Sequence, residues 1–222
     1  MSVEPDNELN VALLTNLGMI YYYDSKDSLA LAVLDRAIER QPALIPAREG
    51  RARVLVGMNR DREAYEEYGR ILNLDSLNTD VRYLRSMMAL YSGYLSTAQQ
   101  DIAVLESLIP LSRKTLLAKA TMASMTGNEV EAVSLFRKLI ELEPAPEYFA
   151  RMAACQIALD NLGDASDTIG RALEKYPRDP ELYYYRAILN KKRYLSDEAH
   201  KDAKRAIELG ADPERVRAIF DK

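Results

Sequence analysis

Small apolar residues recur along this chain at a fixed distance. Ala30, Ala64, Ala98, Ala132, Ala165 and Ala199 are separated by steps of 34, 34, 34, 33 and 34. Twelve positions before each stands another small residue: Gly18, Ala52, Ser86, Ala120, Ala153 and Ala187. An apolar column keeps the same register through Ile20, Val54, Met88, Met122, Cys155 and Leu189. Such a period marks an array in which one supersecondary unit recurs and buries its apolar face against its neighbours. The unit reads as two helices, the first of about 14 residues, joined by a turn such as Asn59-Arg60 or Gly127-Asn128. Antiparallel helices approach closely only where neither carries a bulky side chain, so the paired small residues mark the seam between them. Pro42, Pro110, Pro144 and Pro177 stop the second helix, because proline lacks the N–H and clashes with the preceding turn. Ser76 and Ala211 replace it in two units.

Counting from this register gives repeats at 11–44, 45–78, 79–112, 113–145, 146–179 and 180–212. In the fifth, one residue is expected to be lost just before the turn Asn161-Leu162-Gly163-Asp164. Residues 1–10 are polar and read as a flexible lead-in, helical from about Asn7 at the earliest. At the other end Asp212 can cap a helix that Pro213 starts, and Val216, Ile219 and Phe220 form one apolar stripe. Residues 213–222 therefore read as a capping helix over the last repeat. The pattern predicts an all-α chain of thirteen helices, two per repeat and one cap.

Leu17-Gly18, Tyr21, Ala30, Leu34 and Pro42 follow the spacing W-x2-L-G-x2-Y…A-x3-F…P. On these residues the chain resembles the tetratricopeptide repeat family over Val11–Asp212. The resemblance implies an α-solenoid of six stacked helix-turn-helix repeats in a right-handed superhelix. First helices would line a concave groove for a peptide or a partner helix. The family's chaperone-tail clamp holds a carboxylate with lysines, asparagines and an arginine on three successive first helices. The corresponding positions here begin Thr15, Met19 and Gly50, and no register restores the set, so that partner is not expected.

The position before the first small residue, often leucine in the family, holds Leu17, Arg51, Arg85, Lys119, Met152 and Arg186. Sixteen positions on stand Val33, Glu67, Asp101, Leu135, Thr168 and Asp202. Every arginine is matched with an acid. Arg51–Glu67, Arg85–Asp101 and Arg186–Asp202 are expected to pair beside the seam, partly buried, each coupling by up to about 1 kcal/mol. Lys119, opposite Leu135, is expected to keep its ammonium in solvent.

Composition removes several classes of chemistry. Cys155 is the only cysteine and His200 the only histidine among 222 residues, so zinc clusters and Ser-His-Asp catalysis lack raw material. Cys155 sits in a core column and reads as a buried, inert thiol; His200 reads as solvent-facing. The net charge of −4 argues against nucleic-acid binding. No stretch reaches the roughly 18 apolar residues of a membrane span. The basic cluster around Lys191-Lys192-Arg193 reads as solvated helix ends, the nine glycines form no phosphate loop, and no cofactor or metal is expected. The first basic residue, Lys26, follows the apolar run Val11–Tyr23, so no signal peptide is read. That favours a cytoplasmic setting for the chain as given, with the periplasm as the alternative if a leader was removed.

The family's groove positions nominate Met19, Tyr22, Tyr83, Met87, Leu90, Leu117, Ile157, Tyr184 and Ile188 as a partner-binding lining. Of the eighteen positions in that frame only Glu49, Arg53 and Lys191 are charged. So apolar a face implies an interaction site, and Met and Tyr suit adaptable contact. The reading is a non-enzymatic protein-binding scaffold. The alternative is a structural or self-associating module, or a fragment of a longer array.

Overall fold

The computed structural model describes residues 8–221. Thirteen helices and no strand are found among them, in two compact units that divide after Leu108. Unit 1 holds α1 (Glu8–Tyr23), α2 (Asp27–Arg40), α3 (Ile45–Gly57), α4 (Asp61–Leu74), α5 (Thr79–Tyr91) and α6 (Leu95–Leu108). Unit 2 holds α7 (Arg113–Met125), α8 (Glu129–Leu142), α9 (Pro146–Ala158), α10 (Leu162–Lys175), α11 (Pro180–Lys192), α12 (Ser196–Glu208) and α13 (Pro213–Arg217). Of the expected lead-in, residues 1–7 lie outside the described residues, and 8–10 already belong to α1. The cap is a short helix followed by a turn; Val216 is buried, and Ile219 and Phe220 pack on α11 and α12.

Each odd-numbered helix up to α11 pairs with the next one, and within each unit hairpins stack in sequence: α3 lies on α1 and α2, α5 on α4, α9 on α8, α11 on α9 and α10. The small residues of the seam are buried throughout. Gly18 differs in its partner. A Cβ there would stand 2.5 Å from Leu34 Cγ, so the closest approach is to Leu34 rather than to Ala30. Leucine on the second helix fills the space that the missing Cβ leaves on the first.

The turns repeat as strictly as the seam. Ser25, Asn59, Gly93, Gly127, Asp160 and Tyr194 all have left-handed φ, between 56° and 79°, at steps of 34, 34, 34, 33 and 34. At each, the next residue's N–H reaches back five residues to a helical carbonyl, as in Lys26 to Tyr21, Arg60 to Leu55 and Leu195 to Asn190. This left-handed closure satisfies carbonyls that the helix end leaves unpaired. Asp160 lies seven residues after Ala153, as Gly127 lies seven after Ala120. The fifth turn is therefore complete. The missing residue belongs to the α8–α9 loop, three residues (143–145) against four at 41–44, 75–78 and 176–179.

Loops between hairpins are also pinned. Arg48 Nε donates to Pro42 O at 2.7 Å, Arg82 Nη2 to Ser76 O at 2.5 Å and Thr115 Oγ1 to Ile109 O at 2.8 Å. Tyr176 and Tyr183 hydroxyls donate to Pro144 O at 2.8 Å and Pro177 O at 3.0 Å. Five inter-hairpin loops thus have a carbonyl held by a side chain, although the donor changes from repeat to repeat.

Candidate functional site

The first helices of each unit carry the nominated positions. In unit 1, Met19 and Tyr22 are half-buried and lie across α3. A Cβ on Gly50 would stand 3.0 Å from Met19 Sδ, and one on Gly57 3.3 Å from Tyr22 Cε2. Those glycines let the two side chains lie flat on the neighbouring helix. Tyr83 and Met87 on α5 are half-buried, whereas Leu90 is fully buried. In unit 2, Leu117, Tyr184 and Ile188 are half-buried. Ile157 is buried among Ala153, Ile169 and Leu189, because α11 covers the last turn of α9. Leu90 and Ile157 are core residues and offer no surface to a partner.

Charge on these helices is drawn into the seam. Glu67, 1% exposed, receives Arg51 at 3.0 Å and Arg70 at 2.8 Å, with Arg48 on its other oxygen. Asp101, equally buried, receives Arg82 and Arg85, both at 2.8 Å. Asp202 receives Arg186 through two hydrogen bonds of 2.6 and 2.8 Å and Asn190 at 2.9 Å. All three pairs expected from the sixteen-residue spacing form. The sequence pattern missed Arg48 and Arg82, three residues earlier, which face the same acids from the preceding turn of the helix; that spacing was the available signal. Hydrogen bonds to the acids, together with their charge, raise the Arg85 and Arg186 pKa values against the opposing effect of burial. Lys119 is half-buried and Leu135 is buried.

At the C-terminal end of unit 2 a cavity of about 740 Å³ opens beside α11. Tyr184 and Ile188 line it, with Asp160 and Leu162 from the α9–α10 turn and Arg215 and Ile219 from the cap. Lys191, Lys192 and Tyr194 complete the rim. Arg215 donates to both oxygens of Glu181 at 2.5 and 2.9 Å, and its guanidinium sits 4.0 Å from the Tyr184 ring centroid. Such stacking leaves an apolar wall with a fixed positive edge. Lys191 Nζ donates to Ile219 O, and Lys192 lies 3.6 Å from Asp160. The cap is thus a wall of the cavity as well as a lid over the core. Sequence reading gave it only the second role, though Glu181 and Arg215 stand one 34-residue repeat apart.

Two conspicuous residues take structural parts. Cys155 Sγ lies 3.7 Å from Ser124 Oγ, and burial, reinforced by Glu129, pushes its pKa up to about 12. His200 is exposed; its Nδ1 donates to Ser196 O at 2.7 Å, and its ring stacks on Phe220 with centroids 4.1 Å apart. Among the described residues no group of three or more His, Cys, Asp or Glu is placed to hold a metal ion, and no helix is long and apolar enough to cross a membrane.

No protein-family model matches the sequence, and no curated protein matches it. Solved structures do. A tetratricopeptide repeat protein from Parabacteroides merdae is 24% identical, with a TM-score of 0.79 over 98% of this chain and 85% of that one. PilW, a widely conserved type IV pilus biogenesis factor, is 15% identical, with a TM-score of 0.79 over 96% of this chain and 99% of its own. PilF of Pseudomonas aeruginosa is 17% identical, with a TM-score of 0.74, over 95% and 96%. This chain has the tetratricopeptide-repeat fold. Of the residues nominated from the sequence, Tyr184 and Ile188 line the cavity.

Proposed function

We propose that this tetratricopeptide-repeat chain is a non-enzymatic scaffold that binds a peptide or helix of another protein on its first-helix faces. The observation that carries the reading is the cavity at the end of unit 2, where Tyr184 and Ile188 meet a cationic edge from Arg215 and Lys191. Concave, mainly apolar sites with a few fixed polar groups suit a side chain anchored in a pocket. In unit 1, Met19, Tyr22, Tyr83 and Met87 offer a shallower, adaptable surface of the same chemistry. Leu90 and Ile157 are left out of the site because they are buried.

Affinity capture from the native host tests this with two controls, Tyr184→Asp/Ile188→Asp and Tyr83→Asp/Met87→Asp. These side chains are half-buried, so each variant is first checked for an unchanged helical signal. Loss of a captured partner in either variant is the expected result. A partner retained by both moves the binding site to the outer helices or loops and overturns the reading.

A further inference from the structure

The acid of the last seam is framed differently from those of unit 1. Counted by register, Arg48 and Arg82 stand where the last repeat has Tyr183. Each of those arginines meets its acid, Glu67 or Asp101, and also donates to a carbonyl of the loop before it. Tyr183 keeps only the second task, through its hydroxyl on Pro177 O. Its ring instead takes two guanidinium groups, Arg186 at 5.1 Å and Arg205 at 6.0 Å from the centroid. Beside them a pocket of about 430 Å³ opens, lined also by Lys201, Asp202, Lys204 and Glu208 of α12. None of its residues belongs to the cavity of Tyr184 and Ile188.

We infer that this pocket binds a phosphate group. Its lining holds four cationic side chains against two acidic ones, an excess of two. Both acids are already occupied. Asp202 accepts from Arg186 and Asn190, and Glu208 accepts from Arg205 at 3.0 Å. The excess therefore resides in Lys201 and Lys204, which have no acid within ion-pair distance among the described residues. No other repeat has a basic residue at both positions; the second has Glu66 and Gly69, the fifth Asp167 and Gly170. Like charges three apart on a helix repel, and a bound anion relieves that repulsion. A phosphate monoester carries close to two negative charges at neutral pH and three strong acceptor oxygens, so its charge equals the excess. A carboxylate brings only one. Tyr183 holds the Arg205 guanidinium at the pocket wall, where it adds a planar donor to the two point charges. One pocket of this charge suits a single phosphate rather than the continuous basic groove that tracks a nucleic-acid strand.

Amide chemical shifts of the isotope-labelled chain test this at constant ionic strength, with two probes. One is inorganic phosphate, the other a phosphoserine peptide of otherwise uncharged residues. Saturable shifts should centre on residues 183–186 and 201–208, and the unphosphorylated peptide should give none. Lys201→Gln/Lys204→Gln should weaken binding by about tenfold or more, since each lysine supplies a charge-assisted contact. Arg137→Gln/Lys138→Gln on α8 removes the same charge and should bind as the wild type does. All four positions are exposed, so both variants should keep the helical signal. A phosphopeptide that binds much more tightly than inorganic phosphate makes a phosphorylated protein the source; equal affinities make it a free phosphate. No saturable shift at these residues with either probe overturns the inference. So do shifts that survive Lys201→Gln/Lys204→Gln, or that Arg137→Gln/Lys138→Gln loses equally.

Discussion

Replacing Asp101 by alanine should damage unit 1 more than any single change to its arginine partners. Its carboxylate accepts three hydrogen bonds, from Arg82 Nη1, Arg85 Nε and Arg85 Nη2, each of 2.8 Å. Removal strands two guanidinium groups at the α5–α6 seam. Arg85 is about one-fifth exposed and can turn part of its charge to water; Arg82 is nearly closed off. Breaking a buried pair by deleting one partner costs about 3–5 kcal/mol, and the Asp101→Ala loss should fall there. Arg85→Ala is different, because Asp101 keeps Arg82. Hydrogen bonds to charged groups contribute about 1.5–3 kcal/mol, and partial exposure screens them, so the expected loss is about 1–2 kcal/mol. That exceeds the coupling expected from the sequence, which treated the pair as alone and nearer to solvent. Urea unfolding followed by circular dichroism gives both numbers, and a double-mutant cycle on Arg85 and Asp101 gives the coupling. Equal losses for the two single variants, or a loss under about 1 kcal/mol for Asp101→Ala, would refute the shared-acid account.

Three further changes probe the turns, the seam and the core thiol. Tyr194 holds a φ of 61° with its side chain 94% exposed, so Tyr194→Gly removes a left-handed penalty of about 1–2 kcal/mol and sacrifices no packing. After the extra chain entropy of glycine, about 0.5–1 kcal/mol, the melting temperature should rise slightly, whereas Gly93→Ala at a φ of 79° should lower it. Ala132→Leu overpacks a fully buried seam and should cost about 1–3 kcal/mol, with an unchanged melt counting against the seam assignment. Cys155 should resist thiol reagents at neutral pH until the chain unfolds. Its raised folded-state pKa holds the proton in the native protein, so its contribution to stability is full below the unfolded thiol value of about 8.5 and is lost as pH climbs from there toward about 12. Cys155→Ser should flatten that alkaline limb, and a limb of unchanged slope would reject the assignment.

Period and residue size made the helices legible, because each rests on a local rule that recurs six times. Gly127 and Gly93 announce their turns by composition. Ser25, Asp160 and Tyr194 hold the same left-handed conformation without glycine and are legible only through their register. The α8–α9 loop shows the limit of that register. A step of 33 says that one residue is gone, but turn-like residues at Asn161–Asp164 drew the deletion to the wrong loop. Burial within the groove frame was less legible still. Leu90 and Ile157 occupy groove positions by spacing, yet whether a residue on the last turn of a first helix stays open depends on packing that spacing does not encode.

Charge explains why the candidate site could be only half read. Counted along the sequence, α3 holds three arginines, α5 two, and α11 one with two lysines, and each would present a basic surface. In the folded units Arg48, Arg51, Arg82, Arg85 and Arg186 turn toward three acids that are almost inaccessible to solvent. Arginine's planar fork suits such shared carboxylates, and each acid fixes side chains from two turns of the same helix. Those cations are consumed internally. Arg215 behaves differently, since its partner Glu181 is itself part-exposed and its guanidinium remains stacked on Tyr184 at the cavity. Two arginines of the same chemistry therefore differ in availability because one pairs within a hairpin seam and the other reaches from the cap to α11. The charge that a partner of unit 2 would meet is set by that difference, and net composition does not report it.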